Sequence, residues 1–201
     1  MKLLIFDTET TSIKPGQICQ LSYILIDAST KPQKTIGKNF FFTCDEMDPN
    51  AEAVHGFSLE KLYELSNGQY FEDLVETFLK DFEEADFIIG HNVNFDIRFL
   101  KHELEGMGFL YNPKHIFCTM KYYVNICKIR KANGDFKNPR LEEVIKFLNI
   151  SKEKITKKAD ELFSGSGDYH DARFDTTATY LLIIEGIKQG YIPKGYFSSR
   201  L

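Results

Sequence analysis

The chain has 201 residues, of which 43% are hydrophobic and 14% aromatic, and its formal net charge is −4 at pH 7. This composition predicts one globular domain over residues 1–201, with a core that removes roughly 70% of the unfolded surface from water. No apolar run has the length of a membrane span, and no signal-peptide pattern precedes the first strand. The charge argues against binding to nucleic acid through a generally basic surface. A nucleic-acid enzyme stays open, because divalent cations can offset acidic groups where a phosphate must bind.

The cysteines are scattered along the chain and form no C-x-x-C pair. Such spacing favours reduced thiols in a cytoplasmic protein over disulfides or a zinc site. We therefore expect a cytoplasmic location for a protein with these four residues: Cys19, Cys44, Cys118 and Cys127.

The beginning of the chain has the pattern of strands, and strands then alternate with helices. Short connections between the early strands favour an antiparallel meander. The whole pattern predicts an α/β fold with one mixed sheet of about five strands, the first three antiparallel, flanked by helices. Apolar spacing predicts strands at 3–6, 18–26, 38–43 and 87–90, and helices at 71–82, 94–105, 141–148 and 171–188.

Two stretches are predicted to be mobile loops. Residues 128–139 contain Asn133-Gly134, and residues 151–168 contain Ser164-Gly165-Ser166-Gly167. Both are rich in lysine or arginine beside small polar residues. A solvated loop explains each stretch, and contact with a phosphate backbone is the functional alternative.

Asp7 and Glu9 follow the first apolar run directly. Alternate residues of a strand point to one face, with backbone positions roughly 6.5–7 Å apart. Two carboxylates so placed could hold a divalent cation at the carboxyl end of the strand, where ligands bind in open α/β sheets. An Asp-x-Glu motif alone is weak support, because a strand that ends in an acidic turn has the same sequence.

Two further acidic segments come later in the chain. Asp96 lies in the first turn of a predicted helix, where the helix dipole alone would explain an acid. Asp175 lies one turn into the last helix and can project toward the first strand. His170 precedes that helix, and a lone histidine there is usually a surface residue. Beside a cation, however, an imidazole can serve as a general base.

With the three acidic segments and the histidine in this order, the chain resembles the DEDDh exonucleases, a family typified by the epsilon proofreading subunit of bacterial DNA polymerase III. The resemblance covers residue 3 to about residue 185. In the family's other subtype a tyrosine stands four residues before the last aspartate. That position is Asp171 here, so the histidine subtype fits. The matching segments are Asp7-Thr8-Glu9-Thr10-Thr11, Val54-His55-Gly56, His91-Asn92 with Phe95-Asp96, Cys118-Thr119-Met120, and His170 with Asp175.

The resemblance implies an RNase H-like fold and a 3′→5′ exonuclease that releases nucleoside 5′-monophosphates from single-stranded ends. Two cations about 3.5–4 Å apart can activate the attacking water and stabilise the leaving 3′-oxygen. Hard oxygen ligands suit Mg²⁺ or Mn²⁺, two ions per site. By this assignment Asp7 bridges both ions, Glu9 and Asp175 complete the site of the ion at the nucleophile, Asp96 holds the second ion, and His170 takes the proton.

The same resemblance implies a substrate role for two more residues, Thr10 and His55, in the pocket for the terminal nucleotide. The alternative for them is a turn residue and a loop histidine. Phe95 and Phe99 could stack on a base, but their positions on a helix favour core packing.

The chain departs from the family pattern in places. Ser12 stands where the family usually has glycine, and Asp171 and Arg173 add charges beside His170. Asp171 is expected to cap the last helix. No recognisable polymerase-binding or clamp-binding tail follows residue 190, which weighs against a replicative proofreading role.

The partner and the substrate sugar stay open at this stage. Single-stranded DNA is favoured, and RNA trimming by the same chemistry is the first alternative. A polymerase or repair partner is compatible with the pattern, and no membrane partner is expected. A non-catalytic module that binds nucleic acid or a polymerase is a weaker alternative, since such a module has no need to keep all five residues of the catalytic set.

Overall fold

The computed structural model describes residues 1–165, 167 and 170–201. One mixed sheet of five strands has the order β3-β2-β1-β4-β5. The first three strands are antiparallel neighbours, whereas β4 runs parallel to β1 and β5 parallel to β4. The predicted α/β class and antiparallel start are confirmed. The strands are β1 Lys2–Thr10, β2 Ile18–Asp27, β3 Lys34–Phe41, β4 Phe87–Gly90 and β5 His115–Cys118.

Helices pack on both faces of this sheet. The alternation of β1 separates two cores: Leu3 and Ile5 face the helices near the end of the chain, and Leu4 and Phe6 face α3 and α4. Asp7 and Glu9 continue the face of Leu3 and Ile5, because side chains alternate along a strand. The helices are α1 Pro49–His55, α2 Leu59–Ser66, α3 Phe71–Glu84, α4 Asn94–Gly106, α5 Thr119–Tyr122, α6 Val124–Cys127, α7 Leu141–Phe147, α8 Lys152–Phe163 and α9 Ala172–Lys188.

Strand β4 is much shorter than β1 and pairs only with its first part, Leu3 to Ile5. The chain turns away at Gly90, where a Cβ atom would lie 2.9 Å from Val93 Cγ2 and 3.0 Å from the Phe6 carbonyl oxygen. Because only glycine allows this approach, α4 can begin close to the second half of β1. That half therefore has an edge that β4 does not cover.

The prediction of a loop over 151–168 is wrong for most of its length, since α8 occupies Lys152–Phe163. Ser151 caps the helix by accepting from Lys154 N at 3.2 Å, and Ile155 and Ala159 are buried at helical spacing. The surrounding lysine and glutamate residues concealed this short apolar stripe. Ser166 and Asp168 lie outside the described residues. The other predicted loop, 128–139, contains a single bridge between Arg130 and Phe136, and its mobility stays a prediction.

Other boundaries differ from the sequence prediction as well. β1 extends to Thr10, so Asp7 and Glu9 lie within the strand rather than after it. The prediction missed β5, α1 and α2, and His55 is the last residue of α1 rather than a loop residue. Each of the four cysteines is free. Among the described residues, no helix combines the length and the hydropathy needed to cross a membrane.

Candidate active site

Three carboxylates from two distant parts of the chain meet beside the sheet. Asp7 and Glu9 come from β1 and Asp175 from the first turn of α9, and one oxygen atom of each lies within 4.8 Å of the others. The helix is held against the sheet by its buried apolar face and by Thr176, whose hydroxyl donates to the Ser22 carbonyl oxygen at 3.1 Å. This arrangement brings Asp175 to the face that Asp7 and Glu9 share.

Asp96 reaches the same region from the first turn of α4 and is only 3% exposed. Its Oδ1 atom accepts from the backbone N–H of Thr8 at 3.1 Å and from the Thr8 hydroxyl at 2.8 Å. The Thr8 N–H is available because β4 ends before this level of β1. Asp96 lies beside the three-carboxylate group without being part of it. Its carboxylate is thus fixed by β1, which also carries Asp7 and Glu9.

Burial raises the pKa values of three carboxyl groups in this region, and neighbouring negative charges add to the shift for two of them. Removal from bulk water raises the pKa of Asp7 well above its usual range, and the charges of Asp96, Asp175 and Glu9 raise it further. Burial is also the first cause of the raised pKa of Glu9, followed by the charge of Asp175. Burial raises the pKa of Asp96 to about 7, against the hydrogen bonds from Thr8, which favour its charged form. A divalent cation would offset this charge, and an all-oxygen ligand set fits Mg²⁺ or Mn²⁺.

His170 lies just before α9, as the sequence predicts, and its side chain is exposed. Its backbone is left-handed, with φ of +63°, and its N–H donates to Asp175 Oδ2 at 3.3 Å. Burial is the main cause of the lowered pKa of His55, and a positive charge on His170 is a smaller cause in the same direction. The structure therefore places His170 next to Asp175 and within electrostatic reach of His55.

A pocket of about 390 Å³ opens beside the carboxylates. Thr10 lines it and donates its hydroxyl to the Ser12 carbonyl oxygen at 2.8 Å. Phe95 is half-buried and lines the pocket, whereas Phe99 is fully buried, so the expectation of core packing is correct for Phe99 and incomplete for Phe95. The lining residues are Thr8, Glu9, Thr10, Ser12, Ile13, Asp48, Asn50, Ala51, Val54, His55 and Phe95.

His55 is fixed at the wall of this pocket. The backbone N–H of Phe57 donates to its Nδ1 atom at 3.0 Å, and its ring stacks on that of Phe57 with centroids 5.2 Å apart. Burial lowers the pKa of His55, and the Thr10 carbonyl partly opposes the shift. Since Nδ1 accepts a hydrogen bond, the neutral imidazole carries its proton on Nε2.

His91, another residue of the matching segments, has a structural position. Its Nδ1 atom lies 2.9 Å from Thr119 Oγ1 and its Nε2 atom 3.0 Å from the Pro139 carbonyl oxygen. Burial lowers its pKa to about 4. A neutral His91 therefore ties the end of β4 to α5 and to the segment that leads into α7.

Sequence reasoning missed two groups that organise the site. Thr8 lies in a matching motif that assigns it no role, and no motif includes Gln20. Gln20 is the partner of Glu9 in the pairing of β1 with β2. No short motif marks such a residue, because its position depends on the strand register.

Comparison with protein families shows to which family the chain belongs. The family model of the RNase T type, described as exonuclease, matches residues 4–183. The chain is a member of this exonuclease family. The match includes every carboxylate described above and His170.

The epsilon subunits of DNA polymerase III from Rickettsia are relatives of this exonuclease. The subunit of Rickettsia prowazekii is 37% identical over 108 residues, and that of Rickettsia felis is 34% identical over the same length. The matched part is 52% of this exonuclease and 44% of each epsilon subunit. The chain thus matches less than half the length of these relatives.

Solved structures share the fold of this exonuclease. Exonuclease I from Methylocaldum szegediense has a TM-score of 0.70 at 16% identity, and the match covers 98% of this chain and 42% of that one. Exonuclease I from E. coli in complex with a dT13 oligonucleotide has a TM-score of 0.67 at 16% identity, covering 93% and 41%. At this identity the likeness establishes the RNase H-like fold alone.

Proposed function

We propose that this exonuclease hydrolyses the 3′-terminal phosphodiester of single-stranded nucleic acid, DNA in preference to RNA, and releases nucleoside 5′-monophosphates. The observation that carries the proposal is the meeting of Asp7, Glu9 and Asp175, with Asp96 fixed beside them. The preference for DNA is supported by the relatives, which are subunits of a DNA polymerase. The same relatives support a polymerase as partner, with a repair complex as the alternative. We infer that residues 1–201 form one exonuclease domain.

The carboxylates would hold two Mg²⁺ or Mn²⁺ ions. Asp7 is assigned to both ions, Glu9 and Asp175 to the ion nearer the attacking water, and Asp96 to the other. Such a pair, when bound, activates a water and stabilises the leaving 3′-oxygen. The raised pKa values of Asp7, Glu9 and Asp96 support this assignment, because a bound cation offsets the charge that burial makes costly.

The remaining residues act on the water and the terminal nucleotide. His170 would take the proton of the attacking water, which its exposed place beside Asp175 allows. Thr10, His55 and Phe95 would bind the terminal nucleoside in the pocket, since all three line it. The ring of His55 forms part of the pocket wall, and the ring of Phe95 offers a stacking surface that tolerates any base.

A degradation assay with labelled oligonucleotides tests the proposal. Single-stranded DNA and RNA of one sequence, labelled at the 5′ end, are incubated with Mg²⁺, with Mn²⁺, or with a chelator. We expect a ladder that shortens from the 3′ end, nucleoside 5′-monophosphates as products, faster cleavage of DNA, and no cleavage with the chelator. Asp7→Asn is the control that excludes a contaminating nuclease.

Three outcomes of this assay would each contradict a different part of the proposal. Faster cleavage of RNA would make the exonuclease an RNA-trimming enzyme. Release of the 5′ label as a mononucleotide would reverse the direction. A folded protein that binds the oligonucleotides without cleaving either would favour the non-catalytic module.

A further inference from the structure

A cluster of polar side chains, two of them buried and one half-buried, lies between β2 and the beginning of α9, beside the carboxylates. Gln20, Asp171 and Arg173 are referred to below as the cap cluster. Gln20 is fully buried and lies directly opposite Glu9 in the pairing of β1 with β2. Side chains of directly opposite residues share one face of the sheet, with Cβ atoms about 4.5–5.5 Å apart. The cap cluster is therefore a neighbour of the carboxylate group.

Gln20 fastens the first turn of α9 to the sheet. Its Oε1 atom accepts from the backbone N–H of Ala172 at 3.0 Å, and its Nε2 atom donates to Asp171 Oδ1 at 3.0 Å and to Asn39 Oδ1 at 2.9 Å. The first N–H groups of a helix have no partner within the helix. Here one of them is satisfied by β2, so the beginning of α9 is fixed by a residue more than a hundred positions earlier.

Asp171 and Arg173 form a two-pronged ion pair at the same point. Asp171 Oδ1 accepts from Arg173 Nε at 2.9 Å, and Asp171 Oδ2 accepts from Arg173 Nη2 at 2.6 Å. Asp171 Oδ1 also caps the helix by accepting from the backbone N–H of Arg173 at 3.0 Å. The guanidinium lies over the ring of Phe41 at 5.6 Å. A helix cap needs only one hydrogen bond, so the fork and the stacking do more than end the helix.

The chain that leads to His170 passes close to this ion pair. A Cβ atom at Gly167, where φ is +59°, would lie 2.3 Å from Asp171 Cγ, and one at Gly165 would lie 3.0 Å from Arg173 Nη1. His170 itself is left-handed, a conformation that costs energy for a residue with a side chain and persists where its surroundings impose it. Asp171 and Arg173 therefore lie directly against described residues of the segment that leads to His170.

We propose that Gln20, Asp171 and Arg173 are positioning residues that hold His170 where it can take the proton of the attacking water. The inference rests on the proposed function, in which His170 is the general base. It assigns the cap cluster a task that no carboxylate or pocket residue performs. The competing explanation is that Arg173 merely neutralises Asp171, whose charge lies close enough to act on Glu9.

A double-mutant cycle in the full chain distinguishes the two explanations. Arg173→Gln should lower kcat by roughly 10- to 100-fold with little change in KM, since a misplacement of about 1 Å can cost that much. In the His170→Ala background, the same change should lower kcat by less than about twofold, because the group that it positions is gone. Equal losses in both backgrounds would overturn the proposal.

Arg173→Lys separates charge from geometry. Lysine keeps the positive charge beside Asp171 but cannot make the two-pronged contact. Under the positioning proposal, Arg173→Lys stays impaired, whereas wild-type kcat in this variant would show that only the charge matters. Arg200→Gln is the matched control, since Arg200 also stacks on an aromatic ring, that of Tyr196 at 3.6 Å. It should leave kcat unchanged.

Hydrogen exchange in the metal-free protein gives a readout that does not depend on activity. In Arg173→Gln, the amides of five described residues should exchange at least about tenfold faster, with β1 and α4 unchanged: Ser164, Gly165, Gly167, His170 and Asp171. Unchanged exchange at these five amides would contradict the proposal even if the activity falls. If Arg173→Gln fails to fold, Arg173→Lys takes its place in the same tests, and it should show the kcat loss, the disappearance of that loss in His170→Ala and the faster exchange.

These measurements separate this inference from the proposed function. Wild-type turnover in His170→Ala would show that His170 is not the general base. The cap cluster would then have no general base to position. A large loss in His170→Ala, combined with equal losses in both arms of the cycle, would leave the proposed function standing and remove the cap cluster from it.

Discussion

The carboxylate group and His170 lie side by side but are held in opposite ways. Asp7, Glu9 and Asp175 project from a central strand and from a long helix whose apolar faces are buried. His170 is exposed and left-handed, and the cap cluster lies beside the segment that leads to it. A cation requires its ligand atoms at a defined spacing, and rigid elements hold them at that spacing. A group that must accept and then release a proton gains from contact with solvent.

This contrast predicts different consequences for damage in the two regions. Loss of a carboxylate should remove the chemistry while leaving the fold intact. Loss around His170 should reduce the rate without affecting cation binding. The predictions below test the contrast from the largest expected effect to the smallest.

Asp7→Asn should have the largest effect, because Asp7 is assigned to both cations. We expect a loss of at least about 10³-fold in turnover, which corresponds to several kcal/mol of transition-state stabilisation. The metal-free melting temperature should stay the same or rise, since one of several repelling charges is removed. Turnover on single-stranded DNA and thermal melting measure the two quantities.

Glu9→Gln is the comparison for Asp7→Asn. Glu9 is assigned to one ion only, so its loss should be milder. A loss in Glu9→Gln as great as that in Asp7→Asn would show that the bridging role of Asp7 is wrong.

His170→Ala should lower kcat by about 10²–10⁴-fold, the usual contribution of a general base. Its affinity for Mn²⁺, measured by calorimetric titration, should stay within about twofold of wild type, because His170 is not a proposed ligand. The exposed His102 on α4 supplies the control: His102→Ala should change neither quantity. If His170→Ala binds Mn²⁺ weakly, His170 contributes to cation binding, and the contrast between the two regions is wrong.

Thermal stability should depend on pH and on the cation together. The pKa of Asp96 is raised from its ordinary value of 3.8 to about 7 in the folded chain. Between these two pH values, Asp96 is protonated in the folded state and ionised in the unfolded state. The contribution of protonated Asp96 to the stability of the metal-free protein is therefore lost as pH rises through about 7. A bound cation offsets that charge, so the increase in melting temperature on adding Mn²⁺ should be larger at pH 8 than at pH 5.5.

Melting curves at pH 5.5 and pH 8, with and without MnCl₂, provide the measurement. Asp7→Asn serves as the control and should show a much smaller increase at either pH. An equal increase at both pH values in the wild type would mean that these carboxylates do not bind the ion.

Thr8→Val should have the smallest effect. It removes one of two hydrogen bonds to Asp96, while the backbone bond remains. The lost bond favours the charged form of Asp96, so its pKa should rise further. We expect a loss of roughly 3- to 10-fold in turnover at pH 7, and a smaller loss at pH 8.5, where Asp96 is ionised in both proteins. Thr8→Ser, which keeps the hydroxyl, should match wild type.

The parts of the site that sequence predicted are those fixed by periodic elements. Alternation along β1 predicted one face for Asp7 and Glu9, and helical spacing placed Asp96 and Asp175 in the first turns of their helices. Strong apolar periodicity is a local property, and it survives folding because each element buries its own stripe. The expectation that Asp171 caps α9 is also confirmed.

The remainder depends on contacts between elements, which local patterns do not contain. The bond from Thr8 to Asp96 exists because β4 ends early, and the cap cluster exists because Gln20 lies opposite Glu9. Strand β5 escaped prediction because it has four residues, of which two are exposed. Helix α8 escaped because only a narrow stripe of it is buried.

The long sequence separation of the contacts that complete the site has a consequence for the order in which the chain folds. β1 and β2 can pair early as a hairpin, but the contact from Thr8 to Asp96 spans 88 residues, and that from Gln20 to Asp171 spans 151 residues. Contacts of such separation carry a large loop-closure entropy and form late in folding. We therefore expect a nascent hairpin of β1 and β2 to hold Asp7 and Glu9 before Asp96 and Asp175 reach them. The carboxylates should bind a cation only after these late contacts have formed. During refolding, the amount of bound Mn²⁺ should therefore equal the fraction of molecules that have reached the native state.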